Sequence, residues 1–509
     1  MPARTRRTAR SALALAALTA PLVLAGAADA SADDPARRGE RLARRLVHLS
    51  SADGARRTLE RLQRIADGNG GTRVAGSEGH RRSAEYVEER ARRAGLLVSR
   101  HEFDFVFTQT LAEHLRILTP QAEDVPVRAM TYSASTPEGG ITAPVAVVPV
   151  DDTTGCEAAD YTAAFAGKVA LIKRGGCTFA AKQAAAADAG AVAAIIYNNL
   201  DGELSGTLGD PAAARIPTGG IGKAAGEALA ARAAAGPVDV ALEIRTHHET
   251  RRTWNVIAET RGGDPADTVM VGAHLDSVLD GPGINDNGSG SAGILEVAEH
   301  LGHNPVRHKV RFAWWSAEEF GLVGSEAYVD SLPAEERARI RLYLNFDMIG
   351  SPNAAQFVFD GDDSDHVGSP AGPAGSAQIE RLINGYLDGR RLPHEGTDFT
   401  GRSDYGPFIA VGIPAGGTFT GSEILKTQAQ AERYGGTAGT AFDPCYHQAC
   451  DTLANIDEHA LDVNIDVIAH AVGTYAWDLS SLTAPLAPED TRGLAGSGGG
   501  RQQAGPATA

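Results

Sequence analysis

A histidine and an aspartate end an apolar segment, in the order His274-Leu275-Asp276, and Asp286 follows in a loop rich in Gly and Asn. The apolar run before them, 269–273, is typical of a buried strand. In open α/β sheets, ligand sites lie beyond the carboxyl ends of such strands. A carboxylate beside a metal-ligating imidazole usually holds the second ring nitrogen. The pattern therefore predicts a metal site at this edge of a sheet.

Further groups of the same type stand after downstream segments, namely the pair Glu318-Glu319, Asp347 and His447. Two imidazoles with several carboxylates are a ligand set typical of zinc, and their number indicates two ions rather than one. In the adjacent pair, one carboxylate can bind metal while the other acts as general base toward a water molecule. Tyr446, next to His447, could donate its phenol O–H to a developing oxyanion.

Asp286 has two interpretations. It could cap a helix or a turn, which is common for Asp, or its carboxylate could bridge two ions. Bridging would require an unusual backbone turn, such as a non-proline cis peptide bond to Asn287. Residues 287–289 also form an Asn-Gly-Ser glycosylation motif, but a glycan there would block the predicted cleft. For the pair Glu318-Glu319 the alternative is a solvated turn.

The segments that position these residues alternate between apolar runs and helical patterns after residue 254. Strands are predicted at 269–273, 310–315 and 342–346, and helices at about 289–301 and 324–332. Alternation of this kind predicts an α/β fold with a mainly parallel, mixed, twisted sheet sandwiched by helices. Upstream, the patterns predict a helix with the face Leu59, Leu62 and Ile65, a second helix opened by residues 76–79 and ending at 95, and a strand at 96–107.

Between residues 134 and 246 the chain is rich in Ala and Gly and carries none of the candidate metal ligands. Strands are predicted there at 145–150, 169–173, 193–197 and 238–244, with a helix at about 180–188. We therefore predict a smaller domain at 134–246, inserted into a catalytic domain made of 31–133 and 247–484.

Both termini differ in composition from the rest of the chain. Residues 1–30 have a basic start, an apolar segment at 11–24 and the cleavage pattern Ala28-Asp29-Ala30, as in a secretory signal. A membrane anchor is disfavoured because the apolar run is shorter than the roughly 20 residues of a span. Arg6-Arg7 indicates twin-arginine export only weakly, since the apolar residues that usually follow are missing. The tail at 485–509, rich in Pro, Gly, Ser, Gln and Ala, is expected to be disordered.

The charge and cysteine content fit an exported protein. The net charge of −17 becomes −20 once the signal, with four Arg and one Asp, is removed. This balance argues against nucleic acid or anionic membrane as a partner. The four cysteines form two local pairs, Cys156/Cys177 and Cys445/Cys450, which export and proximity favour as disulfides. A four-cysteine zinc site is the alternative, but neither pair has the C-x₂-C spacing.

Taken together, the motifs between about 254 and 480 resemble those of the secreted double-zinc aminopeptidases of bacteria, in metallopeptidase clan MH. The segments that carry the resemblance are 273–277, 283–290, 316–321, 345–350 and 445–447, and the opening 69–73 with its following helix matches the start of the same domain.

The resemblance implies a ligand set and a general base. Asp286 would bridge two zinc ions; the other ligands would be His274 and Asp347 for one ion, and Glu319 and His447 for the other. Glu318 would act as general base and acid.

It also implies substrate contacts. Tyr446 would stabilise the tetrahedral intermediate, Arg402 would contact substrate, and Asp404 would be structural. Phe419, within 416–421, would form part of the specificity pocket. For Arg402 the alternative is a surface cation.

Some of these relatives bind calcium through two acids near the C-terminal helix, matched here by Asp462 and Asp466. Leu49 and Ser50 stand where the N-terminal partner would align, and neither is an acid, so calcium dependence is not expected. The inserted region resembles a protease-associated (PA) domain at 167–175, 177–179, 189–191 and 195–199. Such domains commonly act as lids or peptide-docking surfaces, and the alternative is a spacer.

We therefore expect a secreted, monomeric zinc exopeptidase that removes N-terminal residues, chiefly large apolar ones such as Leu, from peptides or proteins. One competing hypothesis is a carboxypeptidase or dipeptidase of the same clan. Another is a non-enzymatic binding protein like some receptor ectodomains, which the complete set of five ligands disfavours.

Overall fold

The computed structural model describes residues 34–366 and 368–485. The predicted signal at 1–30 and the predicted disordered tail beyond 485 lie outside these ranges. The helices within them are α1 (Pro35–Leu49), α2 (Ala52–Asp67), α3 (Glu78–Arg93), α4 (Phe179–Asp188), α5 (Lys223–Ala235), α6 (Gly290–Leu301), α7 (Val323–Ser331), α8 (Ala334–Arg337), α9 (Ser376–Gly389), α10 (Gly406–Ala410), α11 (Gln428–Tyr434) and α12 (Glu458–Tyr475).

The strands are β1 (Leu97–Ile117), β2 (Glu123–Val125), β3 (Arg128–Ala129), β4 (Ile141–Val147), β5 (Val169–Lys173), β6 (Ala193–Tyr197), β7 (Thr218–Ile221), β8 (Asp239–Glu259), β9 (Asp264–His274), β10 (His308–Trp315), β11 (Ile340–Phe346), β12 (Phe357–Phe359), β13 (Glu395–Thr397) and β14 (Ala415–Phe419). Two predicted strands, 169–173 and 193–197, coincide with β5 and β6 at both ends.

The catalytic part is built on strands in the order β13-β12-β14-β11-β9-β10-β8. Strands β9, β10, β11 and β14 run parallel to one another, and β12 is parallel to β13. The antiparallel pairs in this part are β8 with β10 and β12 with β14. This mixed, mainly parallel sheet confirms the predicted fold class.

Side chains of the central strands enter two different cores, one on each face of the sheet. On β9, Val269 and Val271 pack in the core that contains α6 and α12, while Met270 packs in the core that contains α7 and α10. Successive side chains point to opposite faces of a strand. Because both faces are covered, these strands appear in the sequence as continuous apolar runs rather than as alternating patterns.

The strands β1 and β8 are much longer than the sequence predicts. Each has 21 residues, and they pair antiparallel from Leu97 opposite Glu259 to Ile117 opposite Val240. The stretch 247–252 is polar, so hydrophobic alternation stops there, but backbone hydrogen bonding to the partner strand continues. The separate strands predicted at 96–107 and 238–244 are therefore parts of one two-stranded ribbon.

At its far end the ribbon joins a second sheet. β8 pairs with β4, and the order continues through β5, β6, β7 and β3. This sheet has its own apolar cores on both faces. The limits of 134 and 246 for the inserted domain stay a prediction, because the ribbon runs through both parts. No helix in the described part of the chain is long and apolar enough to cross a membrane.

Candidate metal centre

The predicted ligands meet at the carboxyl edge of the parallel strands. His274 is the last residue of β9, Asp347 follows β11, and Glu319 lies in a 3₁₀ turn, Glu318–Phe320, directly after β10. Asp286 lies in the irregular turn Ile284–Ser289 before α6. The fifth residue, His447, is brought to them by the loop that carries the second disulfide.

The distances divide the site into two groups that share Asp286. His274 Nε2 lies 3.1 Å from Asp286 Oδ1 and 3.4 Å from Asp347 Oδ1. His447 Nε2 lies 3.1 Å from Asp286 Oδ2 and 3.1 Å from Glu319 Oε2. Tetrahedral zinc with bonds of 2.0–2.1 Å would separate its ligand atoms by about 3.3 Å. The donor types and their spacing therefore fit zinc.

The carboxylates of the site favour positive charge on its two histidines. Burial alone lowers the pKa of His274, but Asp347 and Glu318 raise it well above its ordinary value. Burial opposes protonation of His447, but the carboxylates of Glu319 and Asp286 favour it, so that the pKa of His447 is raised. Burial beside other acids raises the pKa of Glu319 to about 7. A divalent cation would replace these protons.

The turn around Asp286 has the unusual backbone that the bridging interpretation requires. The Asp286-Asn287 peptide bond is cis. Asn287 is fully buried; its Nδ2 donates to Phe346 O at 3.0 Å and its Oδ1 accepts from Gly290 N at 2.9 Å. A side chain enclosed in this way is not a glycan acceptor in the folded protein.

Asp451 holds the same turn and was not singled out from the sequence. Its two carboxylate oxygens accept from the backbone N–H groups of Asn285 at 2.8 Å and Asp286 at 3.0 Å. Burial raises its pKa to about 7. Its position directly after Cys450 is the one sequence signal that could have identified it.

Asp276 contacts the acid pair as well as the histidine. Its Oδ1 lies 3.6 Å from His274 Nδ1, beyond hydrogen-bond distance. Its two oxygens accept from the backbone N–H groups of Glu318 at 3.3 Å and Glu319 at 3.4 Å. Glu318 Oε2 itself lies 3.9 Å from His274 Nε2, and burial raises the pKa of Glu318 well above its ordinary value. Of the two acids, Glu318 is thus the one held further from the ligand atoms.

Arg73 contacts the backbone of the segments that form the centre, and no role was predicted for it from the sequence. It is fully buried, and its guanidinium donates to the backbone carbonyls of Leu275, Pro282 and Gly283. These carbonyls belong to the two segments that carry His274 and Asp286. Burial lowers the pKa of Arg73 to about 10, against the opposing effect of Asp276 and Asp451.

The other predicted site residues line an open cleft over the centre. The Tyr446 ring stacks on the His447 ring at 3.8 Å. Arg402 Nη2 lies 3.4 Å from the Tyr446 hydroxyl, and its Nη1 lies 3.0 Å from Glu423 Oε1. Phe419 is part of the cleft wall. The structure therefore brings Tyr446, Arg402 and Phe419 together at the site.

Ser403, beside Arg402, contacts the predicted ligand Asp347. Ser403 Oγ donates to Asp347 Oδ2 at 2.6 Å and accepts from Asn345 Nδ2 at 2.8 Å. Asp404 is buried, which raises its pKa to about 8. Asp404 was predicted to be structural, whereas the contact through Ser403 was not anticipated.

Both predicted disulfides are present. Cys445–Cys450 closes the small ring that contains His447, while Cys156–Cys177 lies in the second sheet's domain, away from the centre. Asp466, one of the two acids considered for calcium, instead forms an ion pair with Arg390 at 3.0 Å.

Comparisons with known proteins agree with this geometry. Residues 255–472 match peptidase family M28, and residues 141–229 match the PA domain. The chain is 45% identical over 426 residues to leucine aminopeptidase 2 of Trichophyton tonsurans, covering 83% of this chain and 84% of that protein. It is also 45% identical over 451 residues to a probable lipoprotein aminopeptidase of Mycobacterium tuberculosis, covering 87% and 89%.

Solved structures show the same architecture. An aminopeptidase from Aneurinibacillus sp. strain AM-1 superposes with a TM-score of 0.68 at 30% identity, covering 84% of this chain and 95% of that one. A zinc aminopeptidase from Bacillus subtilis superposes with a TM-score of 0.57 at 28% identity, covering 83% and 94%. With this identity over most of both chains, the protein belongs to peptidase family M28 and carries a PA domain inserted into the peptidase fold.

Proposed function

We propose that this M28 peptidase is a secreted aminopeptidase that uses two zinc ions to release large apolar N-terminal residues from peptides. The observation that carries the two-ion assignment is the position of Asp286, whose two oxygens each lie 3.1 Å from a different imidazole. His274 and Asp347 would complete one ion, and Glu319 and His447 the other.

The chain's own residues then have separate tasks. Zinc in this site supplies a Lewis acid that activates water and polarises the scissile carbonyl. Glu318 takes a proton from the attacking water and returns it to the leaving amine. The Tyr446 hydroxyl donates to the developing oxyanion. Arg402 donates to that hydroxyl and helps to position it.

The cleft supports a preference for large apolar residues. It has a volume of about 150 Å³, and Met348, Phe359 and Phe419 form apolar parts of its lining. A cavity of that size holds one benzene-sized group. Several relatives are named leucine aminopeptidases, which supports a Leu-like side chain as the occupant.

Export is supported by several observations. The chain has the features of a secretory signal at 1–30 and two disulfides, which persist in oxidising compartments. We propose a monomer that meets its peptides outside the cytoplasm, without bound calcium. The proposed domains are 31–133 with 247–484 for the peptidase and 134–246 for the PA domain.

The role of Glu318 can be tested against its neighbour. In Glu318→Gln the proton acceptor is lost but every proposed ligand remains, so kcat should fall by about 10³-fold while zinc content stays normal. Glu319→Gln should instead lose bound zinc. Rates on leucine p-nitroanilide and metal analysis measure both effects. Activity of Glu318→Gln within a few-fold of wild type would contradict the assignment of the base.

Zinc stoichiometry tests the two-ion centre. Metal-free protein prepared with a chelator should recover full activity only as zinc approaches two equivalents, measured by titration with rate and metal content followed together. Full recovery at one equivalent would contradict the shared role of Asp286. Hydrolysis of an N-blocked peptide in preference to leucine p-nitroanilide would favour a carboxypeptidase, and absence of bound metal would favour a receptor-like protein.

A further inference from the structure

An aromatic cluster joins the ribbon to the turn that carries the two glutamates. Phe105 and Phe107 lie on one face of β1, and Phe320 directly follows Glu319. The Phe320 ring centroid lies 5.2 Å from that of Phe105 and 5.5 Å from that of Phe107. Tilted rings at these separations attract one another. Phe105 and Phe107 are buried, and Ala317 belongs to the same cluster.

The second strand of the ribbon, β8, also contacts these rings. Arg251 on β8 is the cross-strand partner of Phe105, and its guanidinium carbon lies 3.3 Å from the centre of the Phe107 ring. Gly76, in the loop before α3, has a φ of +71°, and a Cβ there would come within 3.0 Å of Arg251 and 3.3 Å of Phe105. The ribbon is therefore packed closely against this loop, and the packing restricts the position of Phe105.

The glutamate turn is short and is held mainly through its backbone. It has three residues, and Leu322 N donates to Glu318 O at 2.9 Å while Val323 N donates to Ala317 O at 3.1 Å. The carboxylate of Asp276 accepts from its backbone N–H groups at 3.3–3.4 Å. Phe320 is the apolar side chain of the turn, and it packs in a cluster that contains Phe105 and Phe107 of the ribbon together with Val74, Ala75 and Val323.

We propose that Phe105 and Phe107 are positioning residues for the reaction, acting through Phe320 to hold Glu318 and Glu319 against the metal centre. The ribbon that leads to the PA domain thus helps to position the two glutamates and is not only a spacer. This inference rests on the role proposed above for Glu318.

A mutant cycle on kcat tests the contact. Phe105→Ala and Phe320→Ala should each lower kcat about tenfold at saturating zinc with KM within about twofold, because small misplacements of catalytic groups are costly. Since both variants remove one contact, the double variant should fall no more than about twofold below the singles. Phe103→Ala, on the same face of β1, removes a ring contact to Phe105 at 6.5 Å but none to Phe320 among the described residues, and should keep kcat within about twofold.

Several results would overturn the proposal. One is a folded Phe105→Ala variant whose kcat equals that of Phe103→Ala. Another is a double variant whose loss of kcat is the product of the two single losses. If Phe105→Ala does not fold, Phe105→Leu retains apolar volume and should still lose about threefold in kcat; full activity in that variant would also overturn it. Glu318→Gln is measured in the same assay. If this variant remains active, the proposed base is wrong. If it is inactive while Phe105→Ala is fully active, only the coupling of Phe105 to Glu318 through Phe320 is rejected.

Discussion

At the scale of single residues, the centre depends on one buried cation. Arg73 lies near four acids and donates to backbone carbonyls of the segments that carry His274 and Asp286. A buried charge without a partner is costly, so the guanidinium and the surrounding carboxylates and carbonyls stabilise one another. Arg73 therefore both orients the loops and offsets the negative charge of the surrounding acids.

Arg73→Met should accordingly destabilise the protein by roughly 3–5 kcal/mol, because it leaves three buried carbonyls and several acids without their cation. Zinc content after dialysis should also fall. Chemical denaturation and metal analysis measure the two effects. Arg82→Met, in which an exposed arginine of α3 is changed, is the control. Wild-type stability and zinc content in Arg73→Met would show that the loops are held by other contacts.

At the scale of elements, helices supply the packing that fixes the sheet, and one of them carries an acid-sensitive group. His470 on α12 stacks on Tyr386 of α9, with ring centroids 4.4 Å apart, and Arg390 and Asp466 lie nearby. Burial lowers the pKa of His470 to about 4. The folded protein thus binds this proton less readily than the unfolded chain, whose histidines titrate near 6.5.

Stability should therefore fall as the pH decreases from about 6.5 toward 4, and His470 should account for about 2 kcal/mol of the loss between pH 8 and pH 5. His470→Phe keeps a ring on Tyr386 but removes the titration, so its stability should depend less on pH. Urea unfolding at both pH values measures this difference. His459→Gln, at an exposed position of the same helix, is the control, and an unchanged pH dependence in His470→Phe would contradict the expectation.

At the scale of the whole molecule, the ribbon connects two hydrophobic cores. Twenty residue pairs, with one register shift between Thr110 and Ala112, link β1 and β8 between the peptidase core and the PA core. Separation of the two parts would break this pairing as well as the aromatic contacts at Phe320. The two parts are therefore expected to unfold together.

Cooperative unfolding can be followed with probes that report on different parts. All four tryptophans, at 254, 314, 315 and 477, lie outside the predicted limits of the PA domain. Fluorescence thus reports on the peptidase part, whereas far-ultraviolet circular dichroism reports on both. The two urea transitions should coincide. A circular dichroism transition that begins at lower urea than the fluorescence transition would show that the PA domain unfolds separately.

Much of the site could be predicted because its information is local. A histidine or an acid directly after an apolar run marks the exit of a buried strand, as His274 and Asp347 do. The disulfide of Cys445 and Cys450 spans only five residues. Arg73 gave no such signal, because its partners are backbone carbonyls some 200 positions away and carbonyls have no sequence signature.

The sequence by itself determined the types and order of the candidate site residues and the sheet edge where they gather, because side-chain chemistry and strand periodicity are properties of short segments. Tertiary structure alone decided that Asp286 faces both imidazoles, that the ribbon runs unbroken through polar residues, and that Phe105 meets Phe320. Those features arise from contacts between segments that are distant along the chain, and packing of the complete fold brings them together.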